Sequence, residues 1–354
     1  MKLALASDAW FPQVNGVVRS LSTTLEVLRG RGHAIETITP DRFLTVPMPG
    51  YASIRLAVAP RFSVRRMLDT MQPDLVHIAT EGPIGWAARG WCLSRAVPFT
   101  SAFHTHFPEY AAVRTGISAE RFWPIMRRFH APSSAVLVST PTLADELARR
   151  RIGPTMAWRR GIDHALFRPA GPRHPAMTAL PGPVLLNVGR VAAEKNLEAF
   201  LAAPVPGSKV VVGDGPALAA LQRKYPNALF LGALAGEALA SAYRAADCFV
   251  FPSRTDTFGL VVIEALACGV PVAAYPVSGP LDILGTDGRG VDTALPRPAG
   301  ALDTDLDRAI TRALAIPRAD AAALGACYSW ERATDQFETA LTFALVDHET
   351  QQAA

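Results

Sequence analysis

Residues 247–276 read DCFVFPSRTDTFGLVVIEALACGVPVAAYP. Two short β-rich runs, DCFVFPS and VPVAAYP, flank a stretch with helical character that starts near Thr257. Strand, loop, helix and strand in this order form the βαβ unit of a parallel sheet. The helix is apolar all round, with Leu260, Val261, Val262, Ile263, Ala265, Leu266 and Ala267, which is the pattern of a buried element. Glu264 is the one charge within it, and Asp256 stands just before it. A buried carboxylate is costly unless donors meet it. Ligand hydroxyls would supply them; so would an arginine or backbone amides of the fold. Asp256 is likewise either a ligand group near a helix N-terminus or a plain N-cap.

The same grammar extends outward. VLLNVGR, KVVVGDG and ALFLGAL precede this unit as strands, separated by helical segments. In the first half KLALASD, HAIETITP, DLVHIAT, PFTSAFH and SAVLVST repeat the alternation, beginning with a β-loop-α-β unit whose helix is VVRSLSTTLEVLRG. From Arg168 through Pro183 five prolines interrupt all periodicity. The expected organisation is therefore α/β, with two doubly wound domains facing a cleft: residues 1–168, a linker at 169–182, residues 183–328, and a C-terminal helix at 329–349. That helix carries Trp330, Phe337, Leu341 and Leu345 near one side, and the closing TQQAA is expected to fray. Ligands of doubly wound sheets sit beyond the carboxyl ends of the strands, so loops after strands are where chemistry is sought.

Composition narrows the classes. The 354 residues are 49% hydrophobic, enough for two cores. The apolar start is too short for a signal segment and no stretch approaches the roughly 18 apolar residues of a spanning helix, which gives a cytoplasmic expectation. Cys92, Cys248, Cys268 and Cys327 are scattered, with neither zinc nor disulfide spacing. Residues 1–165 hold 20 Lys and Arg against 12 Asp and Glu, whereas residues 166–354 hold 15 against 19. The basic half suits an anionic partner or is simply a solvated surface. In SAERFWPIMRRF (118–129) aromatic and aliphatic residues interleave with Arg121, Arg127 and Arg128, as on an interfacial helix or as on a core helix with a solvated edge. No recognised nucleic-acid module accompanies the charge.

Several loops carry chemistry. NVGRVAAEKN (187–196) places Arg190 and Lys195 after a strand, two cations suited to a diphosphate or to salt bridges with Glu194 or Glu198. Lysine is scarce here, four against 31 arginines, which favours a specific need for a compact ammonium at 195. In PQVNGVV, Asn15 and Gly16 either open the backbone to a phosphate or make a turn. FHTHFPEY (103–110) sets His104 at a strand end, where it can bond a substrate hydroxyl or serve the fold. Its His-Thr-His spacing is not a metal motif. Neither GxGxxG nor GxxxxGK[ST] occurs in these loops, so dehydrogenase and P-loop readings lack support.

Taken in order, SDAWFPQVNGV, FHT, NVGR with EKN, VVGDGP, PSRTDTFGLVVIEALACGVPV and the closing SWE helix resemble the retaining nucleotide-sugar glycosyltransferases of family 4, which have the GT-B fold. The resemblance covers nearly the whole chain and is similar to the glycolipid-forming hexosyl and α-mannosyl transferases. It implies that the second domain binds a UDP- or GDP-sugar (glucose, glucuronic acid or mannose) and the first an acceptor, a membrane lipid such as diacylglycerol or a glycan. Arg190 and Lys195 then neutralise the diphosphate, and Glu264 holds the ribose. Asp256, with the backbone of Thr257, Phe258 and Gly259, grips the donor sugar. Gly16 and its neighbour Asn15 lie on the loop nearest the diphosphate, and His104 touches the sugar. Asp256 departs from the family pattern, which has Glu there. The implied reaction is a front-face displacement with retention and requires no divalent metal or other cofactor. Implied partners are the sugar nucleotide, the acceptor and an anionic membrane surface, giving a cytoplasmic enzyme peripheral on the inner membrane face. Competing readings are a nucleotide-sugar epimerase, a phosphorylase on the same fold and a two-lobed sugar-binding protein.

Overall fold

The protein is described here by a computed structural model. It describes residues 1–354 except 13–15, 49–50, 59, 105–106, 109–110, 113–115, 255, 257, 292, 294 and 354, and except the side chains of 48, 51–54 and 353. Asn15 and Thr257 therefore lie outside the described residues, as do His106 and Glu109. The chain divides into two compact units, Met1–Gly161 with Trp330–Ala354, and Ile162–Ser329.

In the first unit six parallel strands run in the order β2-β1-β5-β6-β7-β8. They are β1 Lys2–Ala6, β2 Ala34–Ile38, β5 Leu75–Ile78, β6 Phe99–Phe103, β7 Ala135–Val138 and β8 Thr155–Ala157. Strands β5, β6 and β7 are buried at every residue, because helices cover both faces of a parallel sheet and leave no polar side. A separate hairpin, β3 Thr45–Met48 and β4 Tyr51–Ala57, is antiparallel. The C-terminal helix Trp330–Ala353 belongs to this unit, and its buried Phe337 and Leu341 share a core with Leu21, Leu25 and Leu28 of the helix Gly16–Gly30. It extends past residue 349 through most of the segment expected to fray.

The second unit has the order β11-β10-β9-β12-β13-β14, all parallel, with β9 Val184–Val188, β10 Ser208–Val212, β11 Leu229–Phe230, β12 Cys248–Phe251, β13 Val272–Ala274 and β14 Gly300–Leu302. This is the 3-2-1-4-5-6 order of a dinucleotide-binding fold, and its direction reverses between β9 and β12. Loops leaving those two strands meet at the switch point.

Residues 169–182, expected as a linker, belong to this unit. Met177, in the short helix Pro175–Thr178, is buried in its core. The His174 amide bonds the Ser241 carbonyl at 3.0 Å, and buried Arg244 donates Nε–H to the Pro172 carbonyl at 2.8 Å. Most of the stretch stays exposed, with Met177 as its buried anchor, so prolines break the periodicity without preventing the segment from packing along the unit once its carbonyls find donors.

Candidate functional site

At the switch point of the second unit the chain between β9 and the helix Leu197–Ala202 is held by backbone contacts that only glycine permits. Gly213, at φ +144°, approaches so closely that a methyl group there would lie 1.8 Å from the Gly189 carbonyl oxygen. Gly215 abuts Val191 in the same manner. The Val191 amide donates to the Asp214 carbonyl at 2.9 Å and the Ala217 amide to the Val191 carbonyl at 3.0 Å. The glycines of VVGDGP are thus the mould for the loop bearing Arg190 and Lys195. From the other side Asn187 and Asn196 donate their side-chain amides to the carbonyls of Val250 and Pro252, binding that loop to β12 and its exit.

Lys195 ends the short turn Ala193–Lys195. Its Nζ donates to Asp256 Oδ1 at 2.5 Å, both side chains about one quarter exposed. Two residues proposed from sequence for the donor's phosphate and sugar are brought into direct contact, 61 positions apart in the chain. The second carboxylate oxygen of Asp256 is buried without a hydrogen-bond partner among the described residues. Arg190 pairs with Glu194 one turn along, and its side chain is largely exposed.

The helix after Asp256 spans Leu260–Ala267, three residues later than expected from Thr257. Gly259 at φ +89° precedes it, and that left-handed conformation stops the helix from extending toward Asp256. Phe258 is buried and edges Tyr328, so its ring serves the core and only its backbone is left for a ligand. Gly279 packs against this loop, where a methyl group would lie 2.8 Å from the Phe258 carbonyl oxygen and 3.0 Å from that of Asp256. Glu264 is buried as expected, and its Oε2 accepts the Tyr243 hydroxyl at 2.9 Å. The Tyr243 hydroxyl, which the sequence did not single out, is one donor that makes this buried carboxylate tolerable.

In the first unit, Gly16 opens the helix Gly16–Gly30, its carbonyl accepting the Ser20 hydroxyl at 2.7 Å. His104 follows β6 directly. Its Nδ1 lies 3.1 Å from Arg160 Nη2, and its Nε2 is buried without a partner among the described residues. Burial, and secondarily the Arg160 charge, hold the His104 pKa well below the usual imidazole range. Burial also pulls Arg160 down to about 10. Sequence reasoning missed Arg160, which stands beside a second arginine in WRRGID with nothing to mark it as the buried one. It also missed Asp8 at the end of β1, whose carboxylate accepts the amides of Ile84 and Gly85 and the Thr80 hydroxyl. That side chain ties the two strands flanking the reversal of the first sheet, β1 and β5, to the start of the helix Pro83–Arg95. Burial raises its pKa against those three bonds.

The helix Trp123–His130, read above as interfacial or as a core helix with a solvated edge, is the latter: Trp123, Met126 and Phe129 lie in the core and Arg127 and Arg128 form the solvated edge. Among the described residues no group of three His, Cys, Asp or Glu side chains is placed to hold a metal ion, and no helix is long and apolar enough to cross a membrane.

Comparison with known proteins adds family and fold. Residues 14–166 match the model described as Glycosyltransferase Family 4 and residues 182–315 that described as Glycosyl transferases group 1. A GDP-mannose-dependent alpha-mannosyltransferase of Mycolicibacterium smegmatis is 33% identical over 327 residues, covering 84% of this chain and 87% of that protein. An alpha-monoglucosyldiacylglycerol synthase of Streptococcus pneumoniae is 27% identical, covering 78% and 71%. Among solved structures, a sucrose-phosphate synthase from Thermosynechococcus elongatus aligns over 99% of both chains with a TM-score of 0.70 at 24% identity.

Proposed function

We propose that this chain, which belongs to the family 4 glycosyltransferases, moves a hexosyl unit from a nucleoside-diphosphate sugar to a lipid acceptor with retention of anomeric configuration. The observation that carries the reading is the Lys195–Asp256 pair at the switch point of the second sheet, one cation and one hydroxyl-binding acid on loops fixed by close backbone packing. The relatives' names favour GDP-mannose as the first donor to try and diacylglycerol as a lipid acceptor of the right class.

In this reading Lys195 and Arg190 meet the diphosphate as the glycosidic bond breaks, and their charge stabilises the leaving group. Asp256 accepts hydroxyls of the donor sugar, Glu264 those of the ribose, and His104 is a further sugar contact. The departing diphosphate takes the acceptor's proton, so the nucleophile attacks from the leaving-group side and configuration is kept. Catalysis rests on positioning and fixed charge rather than on a resident metal. Incubation with GDP- and UDP-hexoses in EDTA, with and without acceptor, tests this. Acceptor-dependent release of nucleoside diphosphate and an anomer matching the donor's are expected; formation of an epimerised sugar nucleotide alone, or of an inverted product, would refute it.

For the membrane, the relevant surface is the hairpin with the start of the helix Arg61–Met71. Leu44, Val46, Val58 and Phe62 are each at least half exposed there. Arg42, Arg55, Arg61, Arg65 and Arg66 are exposed on the same segments, and an open groove of about 310 Å³ is lined by Arg42, Phe62 and Arg66 among others. Apolar side chains among arginines suit an anionic bilayer, each cation near the surface adding about 1 kcal/mol. Flotation with anionic vesicles at low salt should carry the protein up, and Phe62→Glu should weaken it. Equal flotation with neutral vesicles would refute the charge argument.

A further inference from the structure

We propose that Arg160 fixes the tautomer of His104, so that the imidazole presents Nε2–H as a hydrogen-bond donor to an acceptor oxygen of the bound sugar nucleotide. This rests on the reading of His104 as a donor-sugar contact and adds how that contact is made and which residue sets it.

The chemistry follows from one distance. Arg160 Nη2 stands 3.1 Å from His104 Nδ1, and a guanidinium carries five N–H donors and no acceptor. Nδ1 must therefore be the acceptor, with its lone pair toward Arg160. A neutral imidazole whose Nδ1 is bare holds its proton on Nε2. Protonating both nitrogens would set N–H against N–H and a second positive charge beside the guanidinium in a buried site. Burial and the Arg160 charge oppose that form.

Arg160 is held for the purpose. It is 92% buried, its guanidinium carbon lies 5.1 Å from the ring centre of Trp158, and the same ring edges His104 at 5.3 Å. Among the described residues no carboxylate pairs with it. Nη1 of Arg160 and Nε2 of His104 are both buried without hydrogen-bond partners among those residues. Two buried donors on residues in contact, both left unsatisfied, carry a substantial desolvation cost. An oxygen-rich ligand, a sugar hydroxyl or a phosphate oxygen, is the chemistry that recovers it. The assignment also fixes what His104 does not do. With Nδ1 occupied by Arg160 and Nε2 already protonated, it has no free lone pair and does not act as general base toward the acceptor hydroxyl.

The test is made on the whole chain labelled with 15N-histidine. Long-range proton–nitrogen spectra, with His104 assigned by comparison with His104→Gln, are expected to show a single tautomer protonated at Nε2 between pH 5 and 8. A proton on Nδ1, or titration in the ordinary imidazole range, overturns the proposal whatever the enzyme's donor turns out to be. Arg160→Met should release the ring to a tautomer mixture, and Arg160→Lys, also a pure donor, should restore it. If Arg160→Met keeps the single Nε2–H form, Arg160 is not what sets it. Donor kcat/KM in Arg160→Met should fall about tenfold or more, with Arg160→Lys recovering part. A changed tautomer with unchanged donor kcat/KM removes the ligand role of Nε2–H. Because the parent's tautomer is read without substrate, failure of this inference is separable from failure of the proposed reaction.

Discussion

Replacing His77 with Phe should flatten the acid side of the protein's stability profile. His77 sits in β5, wholly buried, with Nδ1 2.8 Å from the Thr100 hydroxyl and its other nitrogen without a partner among the described residues. Its ring edges Phe337 of the C-terminal helix at 4.7 Å and Trp158 at 6.0 Å. Burial pulls its pKa from 6.5 to about 3. Below pH 6.5 the unfolded chain takes up a proton at this site that the folded chain refuses, so the free energy of unfolding decreases as pH falls. The contribution is fully present above about pH 6.5 and is lost as pH drops toward 3. One pH unit is worth 1.36 kcal/mol, so the 1.5 units between 6.5 and 5 cost about 2 kcal/mol. His104 carries the same sign through its own burial, which is why the comparison of slopes, not of absolute stabilities, isolates His77. Urea unfolding followed by tryptophan fluorescence at pH 7 and pH 5 measures it, since Trp158 lies beside the ring and reports on the first unit. The parent should lose about 2 kcal/mol more than His77→Phe over that interval. Equal losses would show that His77 is protonated at little cost in the folded state, and the reasoning from burial would be wrong.

Lys195→Ala should lower turnover about 100- to 1,000-fold while leaving the thermal midpoint close to the parent's, as removal of one fixed charge from a charge-stabilised leaving group does; nucleotide release within a few-fold of the parent would cancel its role. Gly213→Ala forces a methyl group into the Gly189 carbonyl at a left-handed φ and should destabilise the second unit by about 1–3 kcal/mol in urea, with donor binding lost alongside. Tyr243→Phe removes the hydroxyl that Glu264 accepts and should cost about 1–3 kcal/mol; an unchanged midpoint would mean that the remaining partners of Glu264 suffice.

Both sheets were readable because a strand buried on two faces is written as an uninterrupted apolar run, as in AVLV of β7 and CFVF of β12. Where the reading failed, the cause was a conformation or a partner that sequence does not display. The helix holding Glu264 begins at Leu260 because Gly259 adopts a left-handed conformation, whereas apolar periodicity alone extends back to Thr257. The Pro-rich stretch 169–182 looked like a linker because prolines erase periodicity, yet Arg244 and Ser241 bond the backbone at Pro172 and His174 and Met177 anchors the otherwise exposed stretch in the second core. Trp123, Met126 and Phe129 beside arginines read as an interfacial helix or as a core helix with a solvated edge, and their burial decides for the core. Arg159 and Arg160 are indistinguishable as letters; one of them is buried against His104 and Trp158.

Lys195 and Asp256 were each legible as loop residues after a strand, but their contact follows from the sheet order. Strand β9 neighbours both β10 and β12, so the chain leaving β9 and the chain leaving β12 emerge side by side despite the residues between them. This contact changes what each residue must do. A diphosphate that engages Lys195 competes with Asp256 for the same ammonium, and a sugar hydroxyl that engages Asp256 competes with Lys195 for the same carboxylate. If both happen together, each half of the donor compensates the partner that the other half takes, and the pair is exchanged rather than broken. A nucleoside diphosphate without its sugar would strip Lys195 from Asp256 and leave that carboxylate, one oxygen already buried and unpartnered, without its cation. Under the proposed roles the pair would couple recognition of the phosphate to recognition of the sugar, a property that neither residue would have alone.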